Sequence, residues 1–233
     1  MIPRIFALLA VLGALSTLDA DPPAAKSPRE ALQPFGDLIG VWNGTGTPTG
    51  TREEVQKNFW TEKMTWEWQF KGNDAWLKVA FEKSKNFTAG ELRYVPKTEQ
   101  FAFTITTPKK EKLTYVGALH NKTLTLDRDG DKESQRLVFT FLHSNRFLYR
   151  YEVKPEGRPL YAKKWSVGAT KEGEAFAVGS GQHECVVSGG RGTTAVSFMG
   201  KTYFVCCSGC RDEFNASPAK YVKEFEAKKA KQK

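Results

Sequence analysis

Lys63-Met64-Thr65-Trp66-Glu67-Trp68-Gln69-Phe70 alternates polar and apolar side chains without a break, and after Lys71-Gly72-Asn73-Asp74 comes a second such run over 75–82. Alternation with a period of two places the apolar set on one face of a half-buried strand, and a Gly-Asn turn between two such runs reads as a hairpin. Working outward, alternation or aromatic and β-branched enrichment recurs over 91–94, 100–106, 112–119, 123–127, 137–142, 147–153 and 162–167. The connectors Pro96-Lys97-Thr98-Glu99, His120-Asn121-Lys122, Asp129-Gly130-Asp131 and Pro155-Glu156-Gly157 are short and turn-prone. Nine or ten consecutive strands joined this way predict an antiparallel meander. Closing it into a barrel removes its exposed edges, with a β-sandwich as the alternative.

Composition agrees with a folded, two-part chain. The 233 residues are 40% hydrophobic and 12% aromatic, enough to bury a sizeable core in one medium domain plus a small one. The formal net charge is +9, from 35 Lys and Arg against 26 Asp and Glu. Those lysines are spread along the chain, and the one dense run is the final Lys-Lys-Ala-Lys-Gln-Lys, which reads as a solvated terminus. A nucleic-acid partner is therefore not expected.

Residues 1–20 read as an export signal: Arg4 precedes the apolar run Ile-Phe-Ala-Leu-Leu-Ala-Val-Leu-Gly-Ala-Leu, and cleavage is expected after Ala20, before Asp21-Pro22-Pro23. The expected location is periplasmic or secreted, with no stable membrane span after cleavage. The expected organisation is then a tether over 21–33, a barrel over 34–173, a Gly-rich linker over 174–182 with a short strand at 175–178, a cysteine-bearing module over 183–228 and a basic tail over 229–233. No catalytic motif occurs: there is no G-x-S-x-G, H-E-x-x-H, P-loop or dinucleotide fingerprint. Glu53 with Glu54, and Asp127 with Asp129 and Asp131, read as solvated turns. Binding is expected rather than catalysis.

All four cysteines lie in the C-terminal quarter: Cys185, then Cys206, Cys207 and Cys210 in Tyr-Phe-Val-Cys-Cys-Ser-Gly-Cys. Crowding of this kind points to metal ligation, a disulfide or redox exchange. The spacing resembles two ligand-bearing turns joined by a short hairpin. Gly200 permits the reversal of that hairpin, so that Val196 and Phe198 pack against Tyr203 or Val205. Ser217 and Pro218 start a helix that turns Tyr221, Val222 and Phe225 inward. A module of roughly 50 residues needs a staple, by metal or disulfide.

Two resemblances carry these readings further. Gly40-Val41-Trp42-Asn43-Gly44, with Lys164-Trp165-Ser166 at the far end, resembles the opening and closing strands of lipocalin-like barrels over 35–173. The resemblance implies a cup for an apolar ligand or, as in haem-binding relatives, a porphyrin held by one histidine. His120 and His143 are the candidates, and both are expected at the rim. Cys185, Gly200-Lys201-Thr202-Tyr203, Cys206, Cys210, Phe214, Pro218 and Tyr221 resemble the YHS and TRASH family of small metal-binding modules. That resemblance implies binding, sensing or trafficking of soft metals, zinc or copper foremost. It gives Cys185, Cys206 and Cys210 as the common ligand set.

Ser188 stands where many of those relatives carry a further cysteine, which leaves the fourth ligand open between two residues. His183 lies two residues before Cys185, on the same side of an extended segment. Cys207 forms a Cys-x2-Cys knuckle with Cys210. Such donors suit Zn(II), Cu(I) or a heavier soft cation and suit calcium or magnesium poorly. The alternatives are a disulfide-stapled interaction protein, and a barrel that binds its own small ligand or haem with the module as an accessory.

Overall fold

The structure, a computed structural model, describes residues 26–130, 132–173 and 183–231. The export signal, the expected strand at 175–178 and the whole of the linker at 174–182 lie outside the described residues. Ten strands follow one another in chain order: β1 Gly40–Pro48, β2 Trp60–Lys71, β3 Asp74–Glu82, β4 Ala89–Val95, β5 Gln100–Thr106, β6 Lys112–His120, β7 Thr123–Asp129, β8 Glu133–His143, β9 Arg146–Pro155 and β10 Ala162–Lys171. Each pairs antiparallel with the next, and β1 also pairs with β10 from Trp42↔Lys171 to Pro48↔Trp165, which closes the barrel. Closure satisfies both edges of every strand, so the sandwich alternative is excluded.

The alternation that predicts β2 also fills the barrel. Trp60, Glu62, Met64, Trp66 and Trp68 are buried along β2, while Thr61 is exposed and Lys63, Thr65 and Glu67 are only half-buried. Aromatic rings meet across the interior: Trp42 lies edge-on to Phe147 at 4.7 Å, Trp66 stacks on Phe103 at 6.0 Å, and Phe139 stacks on Tyr149 at 5.3 Å. Such contacts add to the area burial that drives the fold. Among them sits one buried acid, Glu62, 3% exposed. Trp60 Nε1 donates to Glu62 Oε2 at 2.8 Å, and the Tyr149 hydroxyl donates to Glu62 Oε1. Burial, then the Glu62 charge, pushes the Tyr149 phenol well above its ordinary value, so it remains a donor. Tyr149→Phe should therefore destabilise the barrel by about 1–3 kcal/mol, because it strips a buried carboxyl oxygen of its partner; chemical denaturation of the two proteins measures this.

One mouth is closed by the chain that leads into β1. The starts of β1 and the ends of β2 and β10 share this mouth, as Gly40↔Trp66 and Trp42↔Lys171 require. The described end of the expected tether is helical from Pro28. Ser27 and Glu30 form a reciprocal capping box that starts α1, Pro28–Leu32, and a 3-10 helix, Gln33–Leu38, follows directly. Phe35 from that helix enters the mouth, 5.0 Å from Phe101 and 5.7 Å from Phe141. Trp42 Nε1 donates to the Leu38 carbonyl at 2.7 Å, so the tryptophan of the Gly-x-Trp opening ties plug to barrel. A cleft of about 170 Å³ remains beside the plug, lined by Phe35, Leu38, Trp42, Phe141, His143 and Phe147. His143 is exposed on this rim, and His120 is exposed at the end of β6.

A further helix, α2 Arg52–Asn58, connects β1 to β2 where the sequence predicts only solvated turns. Glu54 completes a capping box with Thr51, and no residue of α2 is buried. Asp127 forms a two-point ion pair with Arg136 across β7 and β8, at 2.6 and 3.0 Å. Among the described residues, no helix is long and apolar enough to cross a membrane.

Candidate metal centre

Beyond the barrel the chain forms two short hairpins and two helices. β11 His183–Glu184 pairs with β12 Arg191–Gly192, and β13 Thr194–Phe198 pairs with β14 Lys201–Val205. Met199 and Gly200 link the second pair with φ of 48° and 74°, the left-handed geometry of a two-residue reversal. Val196 faces Tyr203 across this hairpin as expected, while Phe198 faces Lys201. α3 Ser208–Ala216 and α4 Pro218–Lys231 then close the module. Cys210 and Phe214, four apart on α3, share its buried face, and Tyr221 is buried on α4. Tyr203 lies 6.2 Å from Phe214 and 6.4 Å from Phe225, so hairpin and helices share a small aromatic core.

This module is set against the barrel at the plugged mouth. Gly209, in the first turn of α3, lies so close to β2 that a Cβ there would stand 1.8 Å from the Trp68 carbonyl oxygen. Ser208 Oγ donates to Glu67 Oε1 at 3.0 Å, and Arg29 of α1 pairs with Glu224 of α4 at 2.8 Å. The knuckle that carries three cysteines is therefore held by a strand of the other domain. Nothing in its local sequence spacing announces this contact.

Each cysteine is delivered by a different local device. Cys185 follows the last residue of β11, where the chain turns sharply: its amide donates to the Gly190 carbonyl at 2.6 Å, and the Gly189 amide returns to the Cys185 carbonyl at 2.9 Å. Cys206 follows the last residue of β14, Cys207 precedes α3 as its N-cap, and Cys210 lies in the first turn of that helix. The Sγ atoms of Cys185, Cys206 and Cys210 all lie within 4.8 Å of one another. Cys206 and Cys210 are 3.4 Å apart at sulfur. A tetrahedral site with metal–sulfur bonds of about 2.3 Å has sulfur–sulfur edges of roughly 3.8 Å, so small shifts would suffice to place an ion among them. All four cysteines are free thiols.

The fourth position is less complete. Cys207 Sγ is 3.9 Å from Cys206 Sγ but falls outside the mutual group of three. His183 is not brought to the cluster. Its exposed ring lies flat on Phe204, with centroids 3.6 Å apart, because the turn at Cys185 buries the thiol while leaving the imidazole outside. Same-side geometry of an extended segment does not survive that turn. Ser188, buried where a further cysteine was sought, directs its amide to Cys185 Sγ at 3.4 Å and places its hydroxyl 3.4 Å from Cys206 Sγ.

Charge in the cluster is shared unequally. Hydrogen bonds with Cys206 and then Cys210 hold the Cys185 thiol far below its ordinary range, and the same two neighbours hold Cys207 low. The main-chain amides of Cys210 and Trp68 assist at Cys207, so a barrel strand contributes directly to the electrostatics. Cys206 is pushed up by its hydrogen bonds with Cys185 and Cys207, and Cys210 chiefly by burial. Compared with known proteins, the chain matches no family model and no curated sequence. What the cluster can do therefore rests on its chemistry: three convergent sulfurs, two of them on residues with no exposed surface, form a donor set for a soft cation.

Proposed function

We propose that the chain is an exported soft-metal-binding protein in which Cys185, Cys206 and Cys210 hold zinc, copper(I) or a heavier soft cation for binding, sensing or trafficking. The observation that carries this reading is the convergence of three unpaired sulfurs within 4.8 Å, drawn from two separate turns of the chain. The similarity of residues 185–222 to YHS and TRASH modules supports it, and the apolar run before Ala20 supports export. The barrel acts as the platform: its β2 strand fixes the knuckle from outside the module.

Metal uptake is linked to protons, because the ligands bind as thiolates. Hydrogen bonds from Cys206 and Cys210 push Cys185 down, whereas Cys206 and Cys210 are pushed up, so protons compete with a metal for the cluster. Titration of the reduced protein with Zn(II) at pH 7 should release protons, whose number per ion reports how many of the three thiols were still protonated. Calorimetry in buffers of different ionisation enthalpy measures that number. Affinity should fall as pH falls, since protons then compete for the two raised thiols. Failure of the reduced protein to take up Zn(II), Cu(I) or Cd(II) would refute the proposal.

A further inference from the structure

Cys207 is the one cysteine that the triad leaves without a task. Its Sγ lies 3.9 Å from Cys206 Sγ, and Cys206 Sγ lies 3.4 Å from Cys210 Sγ. Cys206 therefore belongs to two sulfur pairs at once, with Cys210 inside the mutual group and with Cys207 outside it. The four residues also differ in exposure: Cys185 and Cys210 have no exposed surface, whereas Cys206 and Cys207 are half-buried. An ion arriving from solvent thus meets the Cys206–Cys207 edge before it reaches either buried sulfur. Cys207 is fixed at that edge by the residues after it, because Ser208 Oγ donates to Glu67 Oε1 at 3.0 Å and Gly209 packs against the Trp68 carbonyl. All four cysteines and all three histidines of the chain are among the described residues, and no histidine joins the sulfur group.

We propose that Cys207 is the exchange ligand of the site: a soft cation enters and leaves through Cys206 and Cys207, and moves inward when Cys185 and Cys210 replace Cys207. The inference rests on the metal-binding reading above and adds the route by which the ion reaches the same site. The Cys206–metal bond persists through the inward step, and the bond to Cys207 breaks as those to Cys185 and Cys210 form. Thiol protons displaced by the metal pass to solvent, and no electrons are transferred. Two adjacent sulfurs at the edge make the second bond intramolecular, so an arriving ion is retained. Bonds form as one breaks, so the ion is never carried bare into the buried interior, where an unpaired charge is costly. A ligand used in transit but not at rest changes loading and unloading by the same factor and leaves affinity as it was.

The test uses the reduced full-length protein with Cd(II), whose thiolate charge-transfer absorption follows sulfur–cadmium bonds directly. Loading is timed by stopped flow on mixing with Cd(II), unloading on mixing the loaded protein with excess EDTA, and affinity by equilibrium competition with the same chelator. Cys207→Ser should slow loading and unloading by about tenfold, with affinity changed by less than about threefold. Cys207→Met, which restores a soft sulfur donor at the edge, should recover most of the rate. Unchanged rates in Cys207→Ser would overturn the inference while leaving the metal site standing. A loss of affinity in Cys207→Ser as large as in Cys210→Ser would overturn it by making Cys207 a resident ligand. Slow exchange that Cys207→Met fails to recover would overturn it by reducing Cys207 to a structural support. No Cd(II) uptake by the unaltered protein would overturn it together with the metal-binding reading.

Discussion

Cys210→Ser is expected to abolish stoichiometric metal binding and to loosen the whole C-terminal module. The thiol is fully buried, 3.4 Å from Cys206 Sγ, on the helix face that also presents Phe214 to the module core. Serine removes one of three donors and leaves a buried hydroxyl in their place, which costs about 1–3 kcal/mol before any metal is considered. At free metal about a hundredfold above the dissociation constant, loss of the ion removes a further contribution of about 2.7 kcal/mol. The module's thermal transition should therefore fall in both apo and metal-loaded samples, with the larger drop in the latter. Cys207→Ser should do less, since its sulfur lies outside the mutual group. Equal losses from both replacements, read by metal analysis of dialysed protein, would make Cys207 a ligand.

Gly209→Ala should do comparable damage through a single methyl group. That methyl would stand 1.8 Å from the Trp68 carbonyl oxygen and 2.9 Å from its carbon, distances at which backbone must move. Displacing β2 would open the barrel wall, so the first turn of α3 is the part that yields, and it carries Cys207 and Cys210 with it. The expected destabilisation is about 1–3 kcal/mol. Metal affinity should fall about ten- to a hundredfold, as when supports of a metal site are lost. Gly200→Ala makes the contrasting control: it meets nothing within 4 Å but sits at φ 74°, so the expected cost is about 1 kcal/mol of hairpin strain with little change in metal affinity. If Gly209→Ala binds metal as the parent does, the barrel plays no part in holding the knuckle.

These contacts also show what one sequence makes legible. The barrel could be read from β2 alone, because Met64, Trp66 and Trp68 alternate with polar residues and the pleat converts alternation directly into an inner and an outer face. The α2 helix could not, since none of its residues is buried and no apolar stripe marks it. Thr51 with Glu54 three positions on is its signal in the sequence, while Glu53 with Glu54 reads as a solvated turn. The cysteine triad was legible because Cys206 and Cys210 stand four apart in one turn and Cys185 precedes the hairpin that leads to them. The role of Trp68 and Glu67 was not, because Ser208 and Glu67 are 141 residues apart. A glycine beside a cysteine knuckle was the one available clue to that close approach. His183 lies apart from the cluster for a local reason: same-side placement requires extended chain through Cys185, where the backbone turns back on Gly190.

The central claim is that Cys185, Cys206 and Cys210 exist as a metal-binding set rather than as disulfide partners. It is tested most directly on full-length protein purified without reductant, by measuring metal content and counting reactive thiols on the same sample before and after chelation. One soft metal ion per chain, with protected sulfurs that become reactive once the ion is removed, is the expected result. Four sulfurs blocked in disulfides, with no metal, would contradict it.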